Sequence, residues 1–308
     1  MASLFLTGAS GFLGGRILEH IRPDDYDTIT LLSRRAPALP EHLATSDKVT
    51  IVCASIDDRG KYAQHLGADT RIIHLAAVTG KADRETFLKV NTDGTRVLLE
   101  AATDAGVEGF LFVSSIAVSF TDRQGYHYAD SKEQAERYVQ KSGLRYCIAR
   151  PTIILGKGSP IWDSFTALAK SSVIVLPGNG KIDIQPVDVD DLARQLLQIT
   201  DDNRFNNEVL EMGGPEALSM DDFVRRIHRQ LKGDEARILH LPLGMILGPL
   251  RLAEKLLPAS LLPVASGQFA SFNNAGTAKS NDFFEANSAD MKTVGDMLEL
   301  LAGTEAHD

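Results

Sequence analysis

Over the first half of the chain, short runs of valine, isoleucine and leucine alternate with longer amphipathic stretches, and no other feature of the sequence restricts the fold as much. A run that is apolar at consecutive positions is buried on both faces, the environment of a parallel strand covered by helices on either side. Such runs fall at residues 3–6, 28–32, 49–53, 71–75, 110–114 and 146–150, with one more at 209–212. Helical patterns lie between them at 12–21, 86–105 and 129–141, and Gly106 and Gly143 follow the last two, where a left-handed cap residue is expected. The expected architecture is α/β, a doubly wound parallel sheet over residues 1–150 with a return strand near 208–213. After Pro151 glycine and proline become denser (LGKGSP, LPGNGK, MGGPE) and apolar helices dominate. Residues 151–308 are therefore expected to form a smaller, mainly helical substrate-binding or lid region.

Composition narrows the function. The 308 residues, 44% of them hydrophobic, can bury a large core. The formal charge of −9, without a Lys/Arg-dense stretch, gives a phosphate backbone nothing to bind, so nucleic acid is not an expected partner. Cys53 and Cys147 both lie inside apolar runs and read as buried small hydrophobes, not as a disulfide or a metal site; a reducing, cytoplasmic setting is expected. The eight histidines show no metal-ligand spacing, and His127 and His240 read as pocket-edge or structural residues. The first apolar run has no basic segment before it and continues into glycines, so it reads as neither a signal peptide nor a membrane span. The apolar stretch 241–262 is interrupted by Arg251, Glu254 and Lys255 and reads as a lid, an interface or a packing surface.

The run Leu4-Phe5-Leu6 leads into TGASGFLGG, where Gly8, Gly11 and Gly14 stand three apart. A strand handing over to a helix through such a turn presents unpaired backbone N–H groups and the positive helix end to an anion, and glycine lets a pyrophosphate approach closely. A tight turn whose third glycine only permits close packing would leave the same pattern. At the end of the second run, where an NAD binder places Asp or Glu for the ribose 2′-hydroxyl, this chain reads LLSRR, with Ser33, Arg34 and Arg35. A carboxylate there repels a 2′-phosphate, whereas a guanidinium pairs with it in a contact worth roughly 1.5–3 kcal/mol. NADP(H) is expected over NAD(H), which stays the alternative cofactor.

In YHYADSKEQAERYVQ, Tyr128 and Lys132 are four residues apart on one helix face. A nearby ammonium favours the phenolate and is expected to lower the phenol's pKa by about 1–3 units, which suits Tyr128 to giving a proton to a carbonyl oxygen or taking one from an alcohol. Tyr126 is the other phenol here, but it has Asp130 four residues on. The run FLFVSSIAV ends in Ser114 and Ser115 at the sheet edge where open parallel sheets place their ligands, and a hydroxyl there can donate to a substrate oxygen.

Together TGASGFLGG, HLAAV, VNTDGTRVLLEAA, FVSSIAV, YxxxK and ARPTIILGKG, in that order over roughly the first 190 residues, resemble the extended short-chain dehydrogenase/reductases of the epimerase/dehydratase type. Within that family the sequence looks closest to the branch of thioester and fatty-acyl reductases and 3β-hydroxysteroid dehydrogenase-like proteins. The resemblance implies a Rossmann-type fold and a catalytic set of Ser115, Tyr128 and Lys132, with Tyr128 as acid/base, Ser115 orienting the substrate oxygen and Lys132 bonding the nicotinamide ribose. It implies that Asn91 supports the active-site backbone. Gly8, Ser10, Gly11, Phe12 and Leu13 would line the pyrophosphate, Leu75, Ala76 and Ala77 the inner ribose, and Pro151, Thr152 and Ile153 the nicotinamide carboxamide. After the third strand, Ser55 and Ile56 stand where the family commonly has an acidic and an apolar residue against the adenine. A homodimer is a family-level expectation.

Twelve residues separate Ser115 from Tyr128, fewer than in many extended members, so the loop TDRQGYH is short and the substrate pocket is expected to be open on that side. PIWDSFTALAK, with Trp162 and Phe165, and the stretch at 241–262 supply apolar area for a hydrophobic carbonyl, a dimer surface or core. The expected activity is hydride transfer between NADP(H) and a small-molecule carbonyl or alcohol. The alternatives are an epimerase or dehydratase without net redox and a non-catalytic NADP(H)-binding sensor.

Overall fold

The structure is a computed structural model that describes residues 1–256 and 265–305. Its chain divides into two compact units that interleave in sequence: Met1–Val118, His127–Arg150 and Asp190–Leu210 make the first, and Ser119–Tyr126, Pro151–Val189 and Glu211–Asp308 the second.

The first unit is built on strands β1 (Ala2–Thr7), β2 (Tyr26–Ser33), β3 (Val49–Cys53), β4 (Thr70–His74), β5 (Gly109–Val113) and β6 (Tyr146–Pro151). With β7 (Glu208–Met212) they form a seven-stranded sheet in the order β7-β6-β5-β4-β1-β2-β3. Every pairing from β3 through β6 is parallel. The order reverses at β1, between β2 and β4, which opens a crevice at the carboxyl ends of these strands. Leu4, Phe5, Leu6, Phe110, Leu111 and Phe112 are buried, because both sheet faces are covered. Cys147, on central β6, is buried, but Cys53 is exposed. It was expected to be a core residue; it ends β3, the edge strand of the sheet.

Helices α1 (Phe12–His20), α2 (Gly94–Ala105), α3 (His127–Lys141) and α4 (Val189–Asp201) flank the sheet. Gly106 caps α2 at φ +65°, and Gly143, past the end of α3, takes φ +77°. The expected single helix over 86–105 is broken. A short helix at Arg84–Phe87 and a π-helical turn at Leu88–Asp93 precede α2. That wide turn lets Asn91 reach two other segments, and Gly94 follows it because a Cβ there would lie 2.6 Å from Ile56 Cγ2. Helix α4 packs on the first unit through Asp190, whose carboxylate accepts from Arg16 Nε at 2.7 Å and bonds His20 Nε2 at 3.0 Å.

In the second unit, three two-stranded pairs and several helices surround their own core. Trp162 and Phe165, on the helix Pro160–Ala169, are buried in it, with the Phe165 and Phe223 rings 5.1 Å apart and edge to face. They are core, not a lid. The helix Leu243–Leu256 leaves Met245, Leu252 and Leu256 exposed. The rest of the apolar stretch read at 241–262, residues 257–262, lies outside the described residues.

Candidate active site

At the end of β1, Gly8 takes φ +75°, and a Cβ on it would sit 2.8 Å from the Ala76 nitrogen. The Gly11 N–H closes the turn on the Gly8 carbonyl at 2.9 Å. A Cβ on Gly14 would overlap that same carbonyl oxygen, so the third glycine is a packing residue that lets α1 start against the turn. Gly11 is the N-cap of α1 with no side chain over the helix end, and Ser10 and Gly11 are exposed. The first-turn N–H groups of Phe12 and Leu13 therefore have no intrahelical acceptor and face outward from a positive helix end. This bare, glycine-lined helix start fits a pyrophosphate.

Arg34 and Arg35 are exposed just past β2, and among the described residues neither guanidinium has an ion-pair partner. Buried Ser33 donates its hydroxyl to the Arg35 carbonyl and shapes that turn. Beyond β3, Ser55 is exposed and its hydroxyl bonds Asp57, holding that carboxyl below its usual range. Ile56 is buried against Gly94, and its carbonyl accepts from Tyr62 Oη at 2.9 Å. Its side chain thus belongs to the core.

A buried network then ties the first turn to the π-helical turn. The Thr7 hydroxyl accepts from Leu75 N and Ala76 N, both at 3.1 Å, and meets His74 Nδ1 at 2.7 Å. His74 Nε2 meets Thr95 Oγ1 at 2.8 Å, and Thr95 donates its proton to the Asn91 carbonyl at 2.7 Å. With that proton committed, Thr95 can only accept, so His74 carries its proton on Nε2 and accepts from Thr7 at Nδ1. Burial first, and the Lys132 charge second, push the His74 pKa down to about 3, so the ring stays neutral. Asn91 continues the chain: its Oδ1 accepts from Val78 N at 2.7 Å, and its Nδ2 donates to Val78 O and Ser131 Oγ, both at 3.0 Å. It thereby ties Val78, which follows the segment Leu75, Ala76, Ala77, to Ser131 of α3.

Ser115 follows the end of β5 and Tyr128 opens α3, both half-buried, with the serine hydroxyl beside the phenol. Ala117 N–H donates to Ser115 Oγ at 3.2 Å, leaving the serine proton free to point at the phenol oxygen. The phenol differs from expectation. Burial pushes the Tyr128 pKa up to about 12, with the Ser115 bond opposing, instead of a lysine drawing it down. The reason lies with Lys132, which is 2% exposed and donates from Nζ to the Val113 carbonyl at 2.7 Å, 4.3 Å above the Phe112 ring. Its four-carbon stem reaches the sheet, not the phenol one turn back. Next to it, the Ser114 hydroxyl is buried with no hydrogen-bond partner among the described residues.

In the second unit Pro151 closes β6, Thr152 N–H donates to Met212 O at 2.9 Å, and the Thr152 hydroxyl donates to the Gln185 carbonyl. Ile153 is half-buried there. The short loop before Tyr128 is pinned within this unit: Asn274 Oδ1 accepts from Thr121 N and Asp122 N, both at 3.0 Å, and its Nδ2 donates to Asp122 O at 2.6 Å. His240 bonds Asp221 at 2.8 Å and is structural. Among the described residues no group of histidines, cysteines and carboxylates could hold a metal, and no helix is long and apolar enough to cross a membrane.

The model of the NAD(P)H-binding family matches residues 8–202. The chain belongs to that family. Among curated proteins it is similar to a 3 beta-hydroxysteroid dehydrogenase/Delta 5-->4-isomerase of vaccinia virus (strain Ankara), 29% identical over 195 residues, 54% of this chain and 56% of that protein. The chain thus spans about half the length of the curated relatives it matches. Its fold is that of a nucleoside-diphosphate-sugar epimerase from Staphylococcus aureus (TM-score 0.74, 18% identity, 96% of this chain and 99% of that one). It is also that of a short-chain dehydrogenase/reductase superfamily protein from Agrobacterium tumefaciens with bound NAD (TM-score 0.70, 18% identity, 99% and 97%). The family accounts for the glycine turn. Sequence reading missed Thr7, His74 and Thr95; His74 stood in the quoted HLAAV motif, but its partners are far apart in the chain. It also missed Glu136, although four residues after Lys132 is a helical neighbour.

Proposed function

We propose that the protein is an NADP(H)-dependent oxidoreductase that reduces a hydrophobic ketone or aldehyde, with Tyr128 as proton donor. The observation that carries this reading is the half-buried Tyr128 phenol beside the Ser115 hydroxyl at the carboxyl end of β5. When bound, the nicotinamide supplies the hydride. Gly8, Ser10, Gly11, Phe12 and Leu13 would hold the pyrophosphate through backbone N–H groups, and Arg34 and Arg35 the 2′-phosphate. Leu75, Ala76 and Ala77 would hold the ribose. The phenol holds its proton at neutral pH, so Tyr128 has one to give to the carbonyl oxygen, and burial, which pushes its pKa up, is the barrier that the bound substrate and cofactor would have to offset. Ser115 donates to the oxygen on which charge develops. Similarity to a steroid dehydrogenase supports an apolar substrate.

The test is NADPH consumption, followed by absorbance, over a panel of apolar ketones and aldehydes, with the alcohol product quantified. One alcohol per NADPH is expected. Tightly retained NAD with no net consumption would overturn the reading in favour of an epimerase or dehydratase. The cofactor choice has its own check by calorimetry. Arg34→Ala/Arg35→Ala is expected to weaken NADPH binding about 10- to 100-fold and leave NADH unchanged. Equal weakening of both would remove the 2′-phosphate role.

A further inference from the structure

Helix α3 carries a second charged group that the reaction above does not use. Glu136 stands one turn beyond Lys132 and is 3% exposed. One guanidinium takes both its oxygens: Arg150 Nε donates to Oε1 at 2.9 Å, and an Nη2 proton goes to Oε2 at 2.6 Å. Lys132, also buried, rests on a neutral carbonyl and a ring face, neither of which carries a full negative charge. The groups facing it are neutral His74 from β4, Phe112 and Val113 from β5, protonated Tyr128 on its own helix, and the Glu136–Arg150 pair that joins α3 to β6. A buried ammonium without an anion is costly, and the carboxylate of that pair is the counter-charge within this set.

We propose that Glu136 is a positioning residue that keeps Lys132 cationic on the Val113 carbonyl, one helical turn from Tyr128, and that Arg150 sets how much of the carboxylate's charge Lys132 feels. The inference rests on the reading of Tyr128 and Lys132 as the working pair. Burial pushes Lys132 down to about 7 and Glu136 opposes the fall. Two charge removals then act with opposite sign. Without Glu136 the ammonium loses its anion while the Arg150 cation remains nearby, so it gives up its proton more readily. Without Arg150 the whole carboxylate charge is left to Lys132, and the proton is held more firmly.

The experiment follows the Cε resonance of Lys132 against pH in the full chain labelled with carbon-13 lysine, assigned by its loss in Lys132→Met. Glu136→Gln is expected to lower the titration midpoint by about one unit or more, and Arg150→Gln to raise it. Glu136→Gln/Arg150→Met, which removes both charges of the pair, is expected between Glu136→Gln and the parent. It decides the matter if Arg150→Gln does not fold. Midpoints that coincide with the parent, or a double variant at or below Glu136→Gln, would overturn the inference. The resonance needs no substrate, so a failure of the carbonyl-reduction reading would show separately, as turnover that survives Tyr128→Phe.

Discussion

Tyr128→Phe is expected to lower carbonyl-dependent NADPH consumption by about 10²- to 10⁴-fold, the range for losing a positioned proton donor, while NADPH affinity stays unchanged. In barrier height that is about 3–5 kcal/mol. The substitution removes one oxygen and keeps the ring, whose edge-to-face contact with Phe87 at 6.0 Å holds the start of α3. Ser115 loses its partner, but that serine is half-buried and can turn to water, so the fold has little reason to weaken. The comparison with Ser115→Ala is informative. Ser115 alone should cost less, because the proton itself comes from the phenol and the serine only orients and stabilises the oxygen that receives it. A Phe variant that turns over an identified substrate at the parent rate would show that the proton comes from elsewhere.

The parts of this protein that could be read from its sequence are those whose cause is local. Five of the sheet runs, on β1, β2, β4, β5 and β6, are mainly apolar because both faces of the sheet are covered there, and that pattern survives without coordinates. The glycine turn is equally local, since Gly8 owes its residue type to its own φ. Other features have their causes far away in the chain. The π-helical turn exists where Asn91 bonds Val78 and Ser131, and Gly94 makes room for Ile56. Periodicity could not show that α4 returns to the first unit, because Arg16 and His20 fix it through Asp190 from 170 or more residues away. The exposure of Cys53 follows from β3 being an edge, a property of strand order that no single strand reveals. The Tyr128–Lys132 spacing sets two residues one turn apart on α3. Where a flexible amine ends is decided by available acceptors, and the Val113 carbonyl was invisible from α3.

Adjacent glycines in the first turn should respond to the same substitution with opposite sign. Gly14→Ala places a methyl where the Gly8 carbonyl oxygen already sits and 2.9 Å from the Ala9 Cα. All the atoms it meets are backbone, so relief requires α1 to move away from the turn that it closes. Overpacking of this kind costs about 1–3 kcal/mol in stability. The displaced turn also carries the N–H groups proposed for the pyrophosphate, so NADPH affinity should fall about tenfold or more with it. Gly15→Ala meets nothing within 4 Å. Gly15 lies inside α1, its N–H bonded to the Gly11 carbonyl at 2.8 Å, where exchange of glycine for alanine restricts the unfolded chain and favours the helix by roughly 0.5–1 kcal/mol. Urea midpoints should therefore move down for Gly14→Ala and up for Gly15→Ala, with NADPH binding lost in the first and kept in the second. If both variants bound NADPH like the parent, the close approach of α1 to the turn would have no bearing on the dinucleotide, and the third glycine would serve packing alone.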